Sequence, residues 1–319
     1  VFDQGKTGQE ALQRTLKAPI PCAGTGLHTG ATVHMTLAPG APDTGVVFVR
    51  TDLIARGASE AEASVPARWD AVADTCLCTR IANGAGASVG TIEHLMAALR
   101  ALGVDNVRVE LDADEVPVMD GSSAPFVFLI DCAGVVEQPA VRRGIRVLKR
   151  VEVIDGEGPG AKRAVLSPGQ GCRFGFEIEF ASAAIGRQDR IVVLDEAEFR
   201  DTLADARTFG FVEEVEAMRA AGLARGGSLD NAVVVEGDRV LNAGGLRHKD
   251  EFVRHKILDA IGDLYLAGAP ILGHYHGFKA GHGLNNRVLH ALFADPSAWC
   301  WETCERADAT WETPLARTA

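Results

Sequence analysis

His255 and Asp259 stand four residues apart in the run DEFVRHKILDAIGDLYLAG, residues 250–268. The run reads as one helix. Phe252, Ile257, Leu258, Ile261, Leu264 and Leu266 supply apolar faces, and Gly268 followed by Pro270 supplies a stop. Residues four apart on a helix lie one above the other, so Glu251, His255, Asp259 and Asp263 share a face. An imidazole and a carboxylate placed in this way can both reach one divalent ion, at about 2.0–2.2 Å each for zinc. The solvated stripe of an ordinary amphipathic helix has the same spacing. The pair therefore needs a third ligand, a base and a substrate site from elsewhere in the chain.

A third ligand can come from TIEHLMAALRALG, residues 91–103. Thr91 is the expected N-cap of a helix from about Ile92 to Leu102, Gly103 its stop, and His94 falls in its first turn. A strand over 106–111, an acidic loop over 112–120 and a helix over 124–132, capped by Ser122 or Ser123, follow. After the 250–268 helix come a strand over 271–279 and a helix over 284–293. The same helix–strand–helix order in each half predicts an α+β protein of two duplicated domains, 1–139 and 140–319. Each would be a mixed sheet with helices on one face and a small insert, with the helices sandwiched between the two sheets. His94 and His255 then sit on equivalent helices at the interface, where ligand sites are favoured.

His94, His255 and Asp259 would give three protein ligands and one open position, the pattern of a catalytic zinc. Glu93, beside His94, is placed to take a proton from water. His282 lies between two glycines in KAGHGLNN, in an expected exposed turn after a strand. It is the candidate general acid, with Asp263 to hold it as imidazolium. His274 and His276 put two rings on one strand face and compete as a metal pair, without a third ligand nearby in sequence. His28, in the turn GLHTG, is either exposed or lines a cleft. His34, His248 and His290 read as structural or exposed, and Glu251 as a solvated member of its stripe.

Length and composition bound the rest. The chain has 319 residues, long for one core, with 47% hydrophobic and 24% charged residues. A net charge of −11 disfavours nucleic acid as a general partner, and none is expected. No apolar run is long enough for a transmembrane segment, and the polar start VFDQGKTGQEALQR lacks a signal-peptide core. The seven cysteines form no disulfide framework and no Cys-x-x-Cys pair, so reduced thiols in the cytoplasm are expected. Residues 53–87 read as an irregular inserted element and 138–144 as a linker.

The stretches GTGLHTG (24–30), TIEHLMAALRALGVDN (91–106), EVPVMDGSSAPFV (115–127), ARTFGF (206–211), EFVRHKILDAIGDLY (251–265) and KAGHGLNN (279–286) run in one order across the chain. Together they resemble the UDP-3-O-acyl-N-acetylglucosamine deacetylase family, zinc enzymes of bacterial lipid A synthesis. The resemblance implies hydrolysis of the 2-acetamido group of an acylated UDP-N-acetylglucosamine, the committed step of that synthesis. It implies Zn2+ on His94, His255 and Asp259, with Fe2+ as the alternative in the cell. Glu93 would be the base, and His282 the acid or electrostatic stabiliser, oriented by Asp263. Thr208 would stabilise the oxyanion, and Lys256 would face the substrate. Lys279 and Lys162 would hold the diphosphate, and Phe180 would stack near the uracil. Phe209 would stand at an acyl channel built by an insert at about 208–229. Phe211, Val215, Met218 and Leu229 suit the same channel, or else pack the insert helix against its domain.

The expected protein is a cytoplasmic monomer. Its N-terminus is longer than the family's usual start, with no role expected for the extension. Cys78 matches a cysteine near the site in some members, without a catalytic role. Two other readings stay open: a zinc hydrolase of the same fold acting on another acyl substrate, and a non-catalytic binding module pinned by zinc. A structural zinc would have four ligands and usually cysteines.

Overall fold

The computed structural model describes residues 9–306. The polar segment before Gln9, including the N-terminal extension, and the tail after Arg306 lie outside the described residues.

Strand 32–39 shows why the first sheet forms. Val33, Met35 and Leu37 are buried on one face while Thr32 and His34 point outwards. The sheet has the order 20–25, 32–39, 107–111, 46–50, 64–66. Its pairs are antiparallel except the parallel pair 46–50 with 107–111. The second sheet has seven strands centred on Ile271–Phe278. Strand 162–167 pairs with 271–278 antiparallel along one edge, and 172–179 pairs with it in parallel along the other. Strand 143–147 joins the start of 271–278 in parallel. Both sheets are mixed, as the duplication predicts.

Among the described residues eight α-helices occur: α1 Thr51–Ala55, α2 Glu60–Ala63, α3 Glu93–Ala101, α4 Ala124–Ala133, α5 Glu196–Glu198, α6 Val212–Ala220, α7 Glu251–Tyr265 and α8 His282–Ala294. In α3 every residue but Arg100 is buried, and in α7 every residue but Arg254 and Lys256. Helices buried on nearly all sides belong in the middle of a layered fold. The two pack on each other between the sheets. Gly262 permits the approach: a Cβ there would lie 2.0 Å from the Glu93 carbonyl oxygen. Around the crossing, Leu258 and Ile261 are fully buried, each contributing roughly 1.5–3 kcal/mol.

Several expectations are corrected. The supposed linker 138–144 lies within strands 135–141 and 143–147, the former paired with 12–16. Pro139 is tolerated because the register of that ribbon shifts between Leu12 and Arg14, at its level. Residues 53–87 are only partly an insert. Ser64–Pro66 is an edge strand of the first sheet, with Val65 fully buried, while 72–74, 80–82 and 88–89 form a separate small sheet. Thr91 does not cap α3; its hydroxyl donates to Glu115 instead. Helix α8 begins at His282, not after it.

Candidate active site and metal centre

The α3–α7 crossing brings the expected ligands together. His94 and His255 meet edge to face with ring centroids 5.0 Å apart. Asp259 Oδ1 lies 3.6 Å from His94 Nε2 and 3.2 Å from His255 Nε2. The three ligand atoms lie within 4.8 Å of one another, and all three residues are buried. Asp259 Oδ1 has no hydrogen-bond partner. A buried carboxylate oxygen facing two imidazole nitrogens with no donor is satisfied by a cation, so the residues fit a divalent ion. His255 Nδ1 donates to the Ala206 carbonyl at 3.0 Å, which leaves the Nε2 lone pair facing the centre. Burial pushes the His255 imidazole down to about 4, so it is neutral. Burial opposes charge on Asp259, yet the Lys256 ammonium beside it helps hold its carboxyl well below the usual range. Lys256 Nζ donates to Asp259 Oδ2 at 2.7 Å.

Glu93 and His282 flank this centre. Glu93 Oε1 lies 3.8 Å from His282 Nε2, and its Oε2 accepts from the Thr79 backbone N–H at 3.1 Å. Burial raises the Glu93 carboxyl above the ordinary range, against the pull of His282 and His94, which suits a base. The exposed turn expected for His282 is not found. The ring sits on the first residue of α8 with 11% side-chain exposure. Its Nδ1 donates to Asp263 Oδ2 at 2.8 Å. Burial would lower its pKa, but the Asp263 carboxylate holds it up at about 9, an imidazolium at neutral pH. Asp263 also accepts from Asn285 Nδ2 at 2.8 Å and Thr79 Oγ1 at 2.6 Å. The Tyr275 hydroxyl in turn donates to Asn285 Oδ1.

Glu251 is also corrected. It is fully buried, not solvated. It takes Arg207 Nε at 2.8 Å, Arg207 Nη2 at 3.1 Å, and the backbone N–H groups of Arg207 and Arg247. It thereby fixes the strand-like segment that carries the Ala206 carbonyl and Thr208. The Thr208 N–H donates to the Gly121 carbonyl at 2.8 Å, locking that segment to the first half of the chain.

A pocket of about 330 Å³ is lined by Glu93, His94, His255, Lys256, Asp259 and His282, and also by Lys162, Lys279, Phe180, Thr208 and Phe209. Asp263 alone of the expected set lies beneath it. Lys279 is ion-paired with Glu179, and the Phe180 ring packs on Phe209 and Phe211. A second, apolar cavity of about 300 Å³ shares Thr208 and Phe209. Val215, Met218, Leu229 and Leu241 line it. Helix α6 buries no residue, so Val215 and Met218 face this cavity without sealing a core. Phe211 lines the polar pocket instead. His28 is buried at the apolar cavity with neither ring nitrogen partnered, and burial lowers its pKa.

The competing residues stay apart from the centre. Among the described residues, His274 and His276 join no third His, Cys, Asp or Glu at ligand distance. His274 instead packs over Gly169, where a Cβ would lie 2.3 Å from Nε2. His34 pairs with Asp112, His248 with Asp205, and His290 packs edge-on against Trp69. Burial and neighbouring Glu93 push the Cys78 thiol up to about 12, a poor nucleophile.

Sequence reading missed Thr79, Asn285 and Glu251. Thr79 and Asn285 belong to segments with no spacing relation to Asp263. Glu251 shares a helix face with His255, Asp259 and Asp263, and only its burial distinguishes it from a surface acid.

The family model for UDP-3-O-acyl N-acetylglycosamine deacetylase matches residues 13–294. A curated protein of Phenylobacterium zucineum (strain HLK1), named UDP-3-O-acyl-N-acetylglucosamine deacetylase, is 56% identical over 288 residues, 90% of this chain and 95% of that protein. One of the same name from Xanthomonas axonopodis pv. citri (strain 306) is 50% identical over 313 residues, 95% of this chain and 98% of that protein.

Proposed function

This chain belongs to the UDP-3-O-acyl N-acetylglycosamine deacetylase family, and from that premise we propose how its residues remove acetate from the 2-acetamido group of UDP-3-O-acyl-N-acetylglucosamine. His94, His255 and Asp259 would hold the metal, zinc first and ferrous iron as the cellular alternative. A divalent ion there supplies Lewis acidity to the acetamide carbonyl and lowers the pKa of water. The single observation that carries the reading is the unpartnered Asp259 Oδ1 facing two imidazole nitrogens beside an apolar cavity.

Glu93 takes the proton of the attacking water as its oxygen adds to the carbonyl carbon. The Thr208 hydroxyl donates to the carbonyl oxygen as charge develops there. His282, held as imidazolium by Asp263, stabilises that charge and delivers a proton to the departing nitrogen. The C–N bond breaks, leaving acetate and the free amine. Lys256 orients Asp259 and faces the sugar. Lys162 and Lys279 hold the diphosphate, Phe180 lies near the uracil, and Phe209 marks the entry to the acyl channel. Support for these roles is their shared pocket. Lys279 must exchange Glu179 for phosphate on binding.

Two domains, 1–139 and 140–319, are proposed because each half builds its own mixed sheet. The channel insert, placed at about 208–229, continues in its own small sheet through 233–240. A cytoplasmic monomer is proposed: all seven cysteines are free, and one chain supplies every part of the site. A purely dimeric species on sedimentation, or recovery in another cell fraction, would refute this. No described helix is long and apolar enough to cross a membrane.

The test is acetate release from UDP-3-O-acyl-N-acetylglucosamine, followed with metal analysis. Release is expected to stop on chelation and return with added zinc. Undiminished release from protein shown to be metal-free would overturn the metal role. Unfolding on chelation, with no release under any condition, would point to a structural ion.

A further inference from the structure

Glu115 has no part in the chemistry above and lines neither cavity. It is fully buried. Among the described residues no Lys, Arg or His forms an ion pair with it. Its charge is held by four donors instead. Oε1 accepts from the His28 N–H and the Thr91 hydroxyl, both at 2.9 Å. Oε2 accepts from the Thr29 N–H at 3.1 Å and the Thr29 hydroxyl at 3.0 Å. The fit is close: a Cβ on Gly26 would lie 2.6 Å from Oε2.

The donors belong to two functional parts. Leu27 and His28 form a wall of the apolar cavity. Their carbonyls accept from the N–H groups of Gly226 and Arg225, at 3.0 and 3.3 Å, just before Gly227, Ser228 and Leu229 of the opposite wall. Thr91 lies two residues before Glu93 and three before His94. Its φ of 57° is left-handed, an unfavourable conformation for a β-branched residue, which the surroundings must impose. The hydroxyl bond to Glu115 is one of the contacts that hold it there.

We propose that Glu115 is a positioning residue that couples the wall of the acyl cavity to the turn carrying Glu93 and His94. One carboxylate fixes both, so an acyl chain seated against Leu27 and His28 brings the acetamide into register with the base. The inference rests on the deacetylase reading for its kinetic consequences, but not for the anchoring itself.

The test compares Glu115→Gln, Thr29→Val and Thr91→Val on a long-chain and a short-chain 3-O-acyl substrate, with amide hydrogen exchange at His28 and Thr29. Glu115→Gln keeps the side-chain shape but turns one acceptor into a donor against N–H groups. It is expected to speed exchange at both amides and to lower kcat/KM on the long chain by about tenfold or more. Thr29→Val removes one arm and is expected to raise KM for the long chain only. Thr91→Val removes the other and is expected to lower kcat on both chains with KM unchanged. Should Glu115→Gln fail to fold, the two valine variants decide. The inference is overturned by wild-type exchange and kinetics in folded Glu115→Gln, or by Thr29→Val and Thr91→Val moving the same parameter on both substrates. If the wild-type protein releases no acetate, the deacetylase reading fails, and the exchange measurement still decides the anchoring.

Discussion

The two cavities that meet at Thr208 and Phe209 are close in size, about 330 and 300 Å³, and are built in opposite ways. The polar one rests on α3, α7 and the start of α8, whose site residues have buried partners of their own. Thr79 and Asn285 brace Asp263, Ala206 braces His255, and the Glu251–Arg207 pair braces the Thr208 segment. The apolar one is closed largely by α6 and the segment after it, and α6 buries nothing. A reaction needs its groups held within a fraction of an ångström, which packed helices and saturated hydrogen bonds supply. An acyl chain needs only apolar surface, which a lightly packed insert supplies.

The comparison can be broken or sharpened by substitution. On the polar side, Glu93→Ala is expected to lower turnover roughly 10²- to 10⁴-fold while metal content stays at wild type. Metal analysis beside kinetics checks this, and loss of metal would mean that Glu93 holds the centre and is not its base. A smaller loss, about tenfold, is expected for Asp263→Asn. In the proposed mechanism His282 acts protonated, so activity is expected to fall as pH rises through its pKa. Asp263 raises that pKa against burial, with Glu93 and Asp259 adding to the effect. Its removal should move the alkaline limb of the kcat profile to lower pH. A limb that stays in place would show that His282 is not the group titrating. The gentlest change belongs to the apolar side. Val215→Phe is expected to raise KM for long acyl chains by about tenfold and leave short chains unchanged. Melting should move little, within about 0.5 kcal/mol, since no side chain of α6 is buried. A large loss of stability would mean that the insert is as tightly built as the helices.

How much was legible follows the same divide. The helix 250–268 announces itself by its apolar periodicity, and its four-residue stripe points to His255, Asp259 and Asp263. The echo of helix, strand and helix is enough to bring His94 across. The linker expected at 138–144 failed because Pro139 and clustered charge mark a ribbon bulge as readily as a loop. His282 looked exposed because flanking glycines say nothing about what packs over them. Glu251 looked solvated because a buried and an exposed glutamate have the same spacing. Glu115 opens one of the motifs of the resemblance, but nothing around it points to its role, since its four donors come from residues 28, 29 and 91.

The sequence by itself determined the layered α+β plan and, through helical pitch, the shared face of His255, Asp259 and Asp263, while motifs spread along the chain carried the resemblance to the family. Tertiary structure decided what stands behind them. The charge of His282, the tautomer of His255, the neutral thiol of Cys78 and the anchoring of Glu115 and Glu251 all depend on burial and on partners distant in sequence. Desolvation and hydrogen-bond partners are properties of a place in the fold, and no local pattern of residues specifies them.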